Sequence, residues 1–158
     1  MSQELVDKTK IHDEKNIKGF FSPYRWLSNF HICDIEYDGY KFTSTEAAFM
    51  SAKTLDKKIK EEFQHLNPKE AKKRGREIEF RPDWDVIRIQ IMYEVNKIKF
   101  QDPELRQMLL DTGDKFIEET NWWKDQFWGV YNGVGENNLG KILMRIREEI
   151  KNESQTII

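Results

Sequence analysis

One cysteine, Cys33, in a chain of 158 residues excludes an internal disulfide framework and suits a reducing compartment. Histidine is nearly as scarce: of three, only His31 stands near that cysteine, as His31-x-Cys33, while His12 and His65 are far off in sequence. A structural zinc site needs four ligands at tight spacing, so no bound metal is expected. The cysteine also lacks the cationic, helix-start context that activates a nucleophilic thiolate. Every apolar stretch is soon interrupted by charge, which excludes a transmembrane helix. The first residues show no basic start followed by an apolar run, so no secretory signal is expected. Nor does one charge dominate: 26 Lys and Arg against 28 Asp and Glu leave a net −2, too little for bulk attraction to nucleic acid or a membrane. Repeats, low-complexity tracts and linkers are absent. These absences leave a cytoplasmic chain of one domain, long enough to bury a real core.

Residues 1–16, polar and charged, read as a flexible N-terminal arm, residues 17–150 as the folded domain and residues 151–158 as a frayed tail. Ile35-Glu36-Tyr37 and Tyr40-Lys41-Phe42 flank Asp38-Gly39, a strong hairpin signal. Helices are expected over about 44–54 and 56–65. Asn67-Pro68-x-Glu70 opens a third, with Asn as N-cap and Glu reaching back, and Gly75 ends or bends it. Trp84, Ile87, Ile91, Val95 and Ile98 keep helical spacing and predict a helix over 83–99. Asp102-Pro103 caps the next, which buries Leu105, Met108 and Leu109 and stops at Gly113. The last starts near Asn138 and turns Leu139, Ile142, Leu143, Ile146 and Ile150 inward. The fold class is α+β, mainly helical, with a small antiparallel β component.

The stretch Thr43 to Lys53 carries the strongest chemical signal. On a helix, Glu46, Phe49, Met50 and Lys53 share one face. An acid and an amine then bracket an apolar stripe, where ionised groups are costly unless paired or used. Ala47, Ala48, Ser51 and Ala52 leave room for something large to pack closely. Thr43-x-x-Glu46 also fits a capping box in which Glu46 only returns to the helix start. Both readings stay open on pattern alone.

Other constellations add candidates. Phe20-Phe21-Ser22-Pro23 and Trp26-Leu27-Ser28-Asn29-Phe30 set aromatic faces beside short polar groups, as a base or nucleotide site would, or as a mini-core with turn-forming residues would. Asp125 is the one acid among Trp122, Trp123, Phe127 and Trp128, either an acid with a perturbed pKa or a turn cap. The glycine-bearing loop from Gly133 to Gly140 leads into the last helix, where free N–H groups suit an anion and Gly140 suggests close backbone approach. Lys69, Lys72, Lys73, Arg74 and Arg76 share a helix, as a solvated face or a phosphate contact.

Taken in order, Ser28-Asn29-Phe30, Asp38-Gly39, Ser44-Thr45-Glu46-Ala47-Ala48-Phe49-Met50-Ser51-Ala52-Lys53, Gly75-Arg76, Trp84, Lys99-Phe100 and Asp125-x-x-Trp128-Gly129 resemble the NADAR family, whose members are also called YbiA-like proteins. So does the ending Gly135-x-Asn137-Asn138-Leu139-Gly140-Lys141-Ile142-Leu143-Met144-x-Ile146-Arg147. The resemblance covers about residues 18–149 and keeps motif order throughout. It implies a mixed, mainly helical fold and hydrolysis of N-glycosidic bonds in nucleotide-like substrates, without a cofactor. One branch of the family cleaves early riboflavin-pathway intermediates, and another removes ADP-ribose from guanine in nucleic acid. The resemblance implies Glu46 as the catalytic acid, Lys53 beside it, and Trp84 and Asp125 in the pocket, with Asp125 counted beside Glu46 and Lys53 in the expected catalytic set. Phe21, Ser28, Asn29, Phe30, Arg76, Trp128, Gly129, Asn138 and Gly140 complete the expected substrate-binding set.

The sequence departs from the family pattern twice. Val130 follows Trp128-Gly129 where riboflavin-type members carry an acid, and Ala47-Ala48 stands where characterised members have a His-aromatic pair. Both departures favour a substrate with an ADP-ribose moiety, free or on DNA or RNA, over a riboflavin intermediate.

Overall fold

The computed structural model describes residues 12–156, so most of the expected N-terminal arm lies outside the described residues. The chain forms two compact units, one made of Trp26–Gln107 and the other of the described residues before and after it.

In the unit Trp26–Gln107, β2 (Ile35–Tyr37) and β3 (Tyr40–Phe42) pair antiparallel with Ile35 opposite Phe42. Asp38 and Gly39 take φ of 54° and 83° between them. Two successive positive φ values make the type I′ turn whose twist matches the flanking strands, as the Asp-Gly signal predicted. Helix α1 (Thr45–Ser51) follows at once, then α2 (Lys57–Glu62) with a 3₁₀ turn at Phe63–His65, α3 (Pro68–Glu77) and α4 (Trp84–Lys99). The Asn67 capping box forms as expected, with Glu70 N–H on Asn67 Oδ1 at 2.8 Å and Asn67 N–H on Glu70 Oε1 at 3.0 Å. Gly75 does not end α3, which runs on to Glu77. A β-carbon there would collide with the Met50 side chain, so glycine serves the close approach of α1 and α3. The core of this unit is built on Leu27, Ile35, Phe42, Phe63, Val95 and Phe100, each 1% exposed or less apart from Phe42 at 2%. Full burial of such a side chain contributes about 1.5–3 kcal/mol.

The other unit pairs β1 (Asn16–Lys18) with β4 (Phe116–Glu118) in parallel, in register Asn16 with Phe116. This pair has no counterpart in the sequence reading, because three residues are too few for a period-2 pattern to declare itself. Residues 12–16, expected as arm, lead into it through a turn in which Asp13 Oδ1 accepts from the N–H groups of Lys15 (2.8 Å) and Asn16 (2.7 Å). Helix α5 (Pro103–Asp111) leads into this unit, and Gly113, two residues past its end, has φ of 64°. Helix α6 (Asn138–Thr156) turns Leu139, Ile142, Leu143, Ile146 and Ile150 into the core with Ile17 and Ile117. It continues to Thr156, so residues 151–156, expected to fray, are helical. No described helix is long and apolar enough to cross a membrane.

Candidate active site

The site is built on α1, a helix of seven residues, all of them buried. Ser44 is its N-cap, in extended conformation, and Ser44 Oγ accepts the Ala47 N–H at 3.1 Å. That contact bears on the capping-box reading of Glu46. The cap is Ser44 and its acceptor bond goes to Ala47, so the Thr43 to Glu46 capping box does not form. Glu46 sits in the first turn, 7% exposed. A carboxylate there gains from the helix dipole but loses hydration.

Helix α1 ends at Ser51, one turn earlier than the sequence predicted, so Lys53 lies in the turn beyond rather than on the helical face. Its N–H bonds Met50 O at 3.2 Å and its carbonyl accepts from Arg81 N–H at 2.7 Å, which fixes the turn from both sides. The half-buried side chain stays within electrostatic reach of the acid. Burial lowers the pKa of Lys53, the Glu46 carboxylate opposes that shift, and the Arg76 guanidinium reinforces it. Glu46, Lys53 and Arg76 therefore form one electrostatic group, with Arg76 exposed on α3. Its walls are aromatic. The Lys53 ammonium lies 4.7 Å from the Phe80 ring centroid and 6.0 Å from that of Trp84. Trp84, at the start of α4, packs against Phe49 at 5.1 Å and 53°. Phe80 escaped the sequence reading. Its only signal was a lone aromatic between charged residues just before Arg81-Pro82, a position that reads as loop.

Three expected binding residues of this unit have other work. Ser28 Oγ accepts the Phe30 N–H at 3.1 Å and Ser28 O accepts the Lys99 ammonium at 2.9 Å. Lys99 is fully buried and its pKa falls to about 8 for that reason. Asn29 is 6% exposed, and its side chain is spent on Thr45, Asn96 and the Met92 sulfur, so it is a buried structural amide rather than a reader of substrate edges. Half-buried Phe30 carries the Lys72 ammonium over its ring at 5.8 Å. On the basic helix, Arg74 bonds Glu62 at 2.9 Å and approaches Glu77 at 3.8 Å, while Lys69 and Lys73 are exposed. The solvated-face reading fits all but Lys72, which lies over Phe30.

The remaining expected residues belong to the other unit. Phe21 stacks on Trp122 at 4.8 Å and 17°. Asp125 is a turn cap: its Oδ1 accepts from the N–H groups of Phe127 (3.0 Å) and Trp128 (2.8 Å). Trp128 sets its ring edge-on to Phe127 at 4.8 Å. Gly129 has no room for a β-carbon, which would strike the Glu119 side chain and carbonyl. The anion-binding reading of the α6 start does not hold. The Asn138 N–H bonds Phe127 O at 3.3 Å and the Leu139 N–H bonds Trp128 O at 2.9 Å, so two of the helix-start donors are already satisfied by chain. Asn138 Nδ2 also donates to Phe127 O, at 2.9 Å. Gly140 does allow close backbone approach, since a β-carbon there would meet the Ile117 carbonyl and the Asn137 side chain. Among the described residues no group of three or more His, Cys, Asp or Glu is arranged to hold a metal ion.

The chain is 35% identical over 133 residues to the N-glycosidase YbiA of Escherichia coli K12, covering 80% of this chain and 82% of that protein. It is 36% identical over 140 residues to an N-glycosidase of Nostoc punctiforme, covering 84% and 89%. A riboflavin biosynthesis protein of Vibrio vulnificus is 34% identical over 140 residues, which is 84% of this chain but 38% of that longer protein. The solved structure of E. coli YbiA superposes with a TM-score of 0.81 at 31% identity, covering 91% of this chain and 89% of that one. The NADAR domain model matches residues 12–151, and the chain belongs to the NADAR family.

Proposed function

We propose that this chain is an N-glycosidase that hydrolyses the ribosyl C–N bond of ADP-ribosylated guanine, in nucleic acid or as a nucleotide. The observation that carries the reading is a carboxylate and an amine, Glu46 and Lys53, held in mutual electrostatic reach against Phe80 and Trp84. Family membership and relatives named as N-glycosidases support the reaction class. Cleavage of the bond develops positive charge at the anomeric carbon and negative charge on the departing base. Glu46 stabilises the first or directs water to it, and the base leaves as it gains a proton. Burial offers Lys53 a second route: the neutral amine bonds the anomeric carbon as the C–N bond to the base breaks, the glycosylamine passes its extra proton to the ring oxygen as the ring C–O bond opens to a Schiff base, and water hydrolyses that imine to free the sugar aldehyde and the amine. A guanine in duplex nucleic acid must leave the stack first, which an aromatic wall favours.

A second reading, hydrolysis of ribosylaminopyrimidine phosphate intermediates of riboflavin synthesis, draws on the names of relatives such as the Vibrio protein. Val130, only 7% exposed, stands where the riboflavin-type pattern carries an acid, and the fully buried Ala47-Ala48 pair stands where characterised members carry a His-aromatic pair. That weighs against it. A third reading is a module that binds ADP-ribose without chemistry. Purified protein, with Glu46→Gln and Lys53→Ala, is assayed by mass spectrometry on an ADP-ribosylated guanosine oligonucleotide. Release of ADP-ribose by wild type and not by Glu46→Gln is the expected result. Binding without release by all three supports the module, and neither binding nor release overturns the substrate.

A further inference from the structure

We propose that Asn96 is a positioning residue for Glu46, acting through the buried amide of Asn29. The proposal rests on the reading of Glu46 as the catalytic carboxylate. Asn96 lies on α4, 0% exposed, at a helix position where an apolar side chain would ordinarily sit. Its Nδ2 donates to Asn29 Oδ1 at 3.3 Å and to Met92 O at 3.1 Å. Exchanging oxygen and nitrogen would set the Asn96 oxygen against two acceptors, so these contacts fix the orientation of the amide. Asn96 Oδ1 is then left buried with no hydrogen-bond partner. A lone unpaired carbonyl in a core is destabilising, and leucine would fill the space without that cost.

The compensation lies one residue away from the acid. Asn29 Oδ1, fixed by Asn96, accepts the Thr45 hydroxyl at 3.0 Å. The same hydroxyl lies 3.2 Å from Asn29 O, and that carbonyl accepts the Glu46 backbone N–H at 3.1 Å. The first turn of α1 is thus tied to the chain at Asn29 by two donors, the Glu46 N–H and the single Thr45 hydroxyl hydrogen shared between Asn29 Oδ1 and Asn29 O, and Asn96 sets the rotamer of the side chain that takes the shorter of those two contacts. A helix of seven residues has too few internal bonds to hold its own start rigidly. The amide pair supplies what the helix lacks, at the residue bearing the acid.

The test is Asn96→Leu, with Glu46→Gln alongside, read in three ways. Thermal unfolding should show no loss of stability, because the unpaired carbonyl is gone. Exchange of the Glu46 amide hydrogen should quicken about tenfold as the tie loosens. On the ADP-ribosylated guanosine oligonucleotide kcat should fall about tenfold with KM within about twofold, the pattern of a misplaced catalytic group. Wild-type exchange at Glu46 together with wild-type kcat overturns the proposal, as does a rise in KM alone. If Asn96→Leu does not fold, Thr45→Val, which removes the hydroxyl at nearly constant shape, is read by the same criteria. Turnover by Glu46→Gln would sink the catalytic reading itself, whereas the amide exchange reports on the tie whatever the substrate.

Discussion

The side chain of Met50 fills the space that a β-carbon on Gly75 would take: its sulfur would overlap that carbon, and its Cγ and Cβ would stand at 3.1 and 3.3 Å. Alanine in an exposed helix interior is favoured over glycine by about 1 kcal/mol. Here overpacking costs about 1–3 kcal/mol. Gly75→Ala is therefore expected to lower stability by up to about 2 kcal/mol net. Chemical denaturation measures it. A more stable variant would mean that Met50 swings aside, and that α1 is not seated by this contact.

Arg76 and Lys53 repel each other, and Arg76 depresses the Lys53 pKa. Removing that charge in Arg76→Ala raises the Lys53 pKa, so less neutral amine is present at neutral pH. If the amine attacks the sugar, the rising limb of the pH–rate profile moves to higher pH in the variant. Glu46 acts with the opposite sign, so Glu46→Gln lowers the Lys53 pKa. Reductive methylation followed by NMR titration of Lys53 checks both directions, and opposite shifts would contradict the grouping of these three charges.

Lys99 has a folded-state pKa of about 8 against an ordinary 10.5. As pH rises through that window, the folded chain releases its proton before the unfolded chain does. Stability from this group consequently rises with pH between about 8 and 10.5, and is flat below, where both states are protonated. At about 1.4 kcal/mol per pH unit, wild type should gain about 3 kcal/mol relative to Lys99→Met across the window. Urea unfolding of both proteins at several pH values reads the difference. Parallel curves would mean that Lys99 is hydrated in solution.

Asp125 caps its turn through one carboxylate oxygen, a role that asparagine can also fill. Asp125→Asn should hold stability within about 0.5 kcal/mol, while Asp125→Ala, which strands two N–H groups, should lose about 1–2 kcal/mol. Equal losses in both would indicate that the charge, and not the acceptor, holds the turn.

Much of this architecture could be read from sequence because its signals are local. Asp38-Gly39 demands a turn with positive φ, Asn67-Pro68-x-Glu70 writes its own cap, and the spacing of Leu139 to Ile150 marks a buried face. Those features need only neighbouring residues. What escaped depends on partners distant in sequence. The parallel pairing of β1 and β4 joins residues a hundred apart, the early end of α1 is fixed by Arg81 holding the Lys53 carbonyl, and the α6 donors are taken by the carbonyls of Phe127 and Trp128. For the site, the Glu46 and Lys53 pairing was visible because both lie within one short stretch. Asn29 misled, since an Asn in an aromatic loop looks the same in sequence whether it faces a ligand or a buried amide. Phe80 and Asn96 gave no local sign of proximity to either residue.

The β1 and β4 ladder has a consequence for how the protein is made. On the ribosome, the strand Asn16–Lys18 is made before Trp26–Gln107 and waits while all of that unit is synthesised, because its partner at Phe116–Glu118 does not yet exist. Residues Trp26–Gln107 can thus gather around their own core while the strand edge at Asn16–Lys18 stays open. The arrival of Phe116–Glu118, rather than any contact within Trp26–Gln107, is the event that closes that edge.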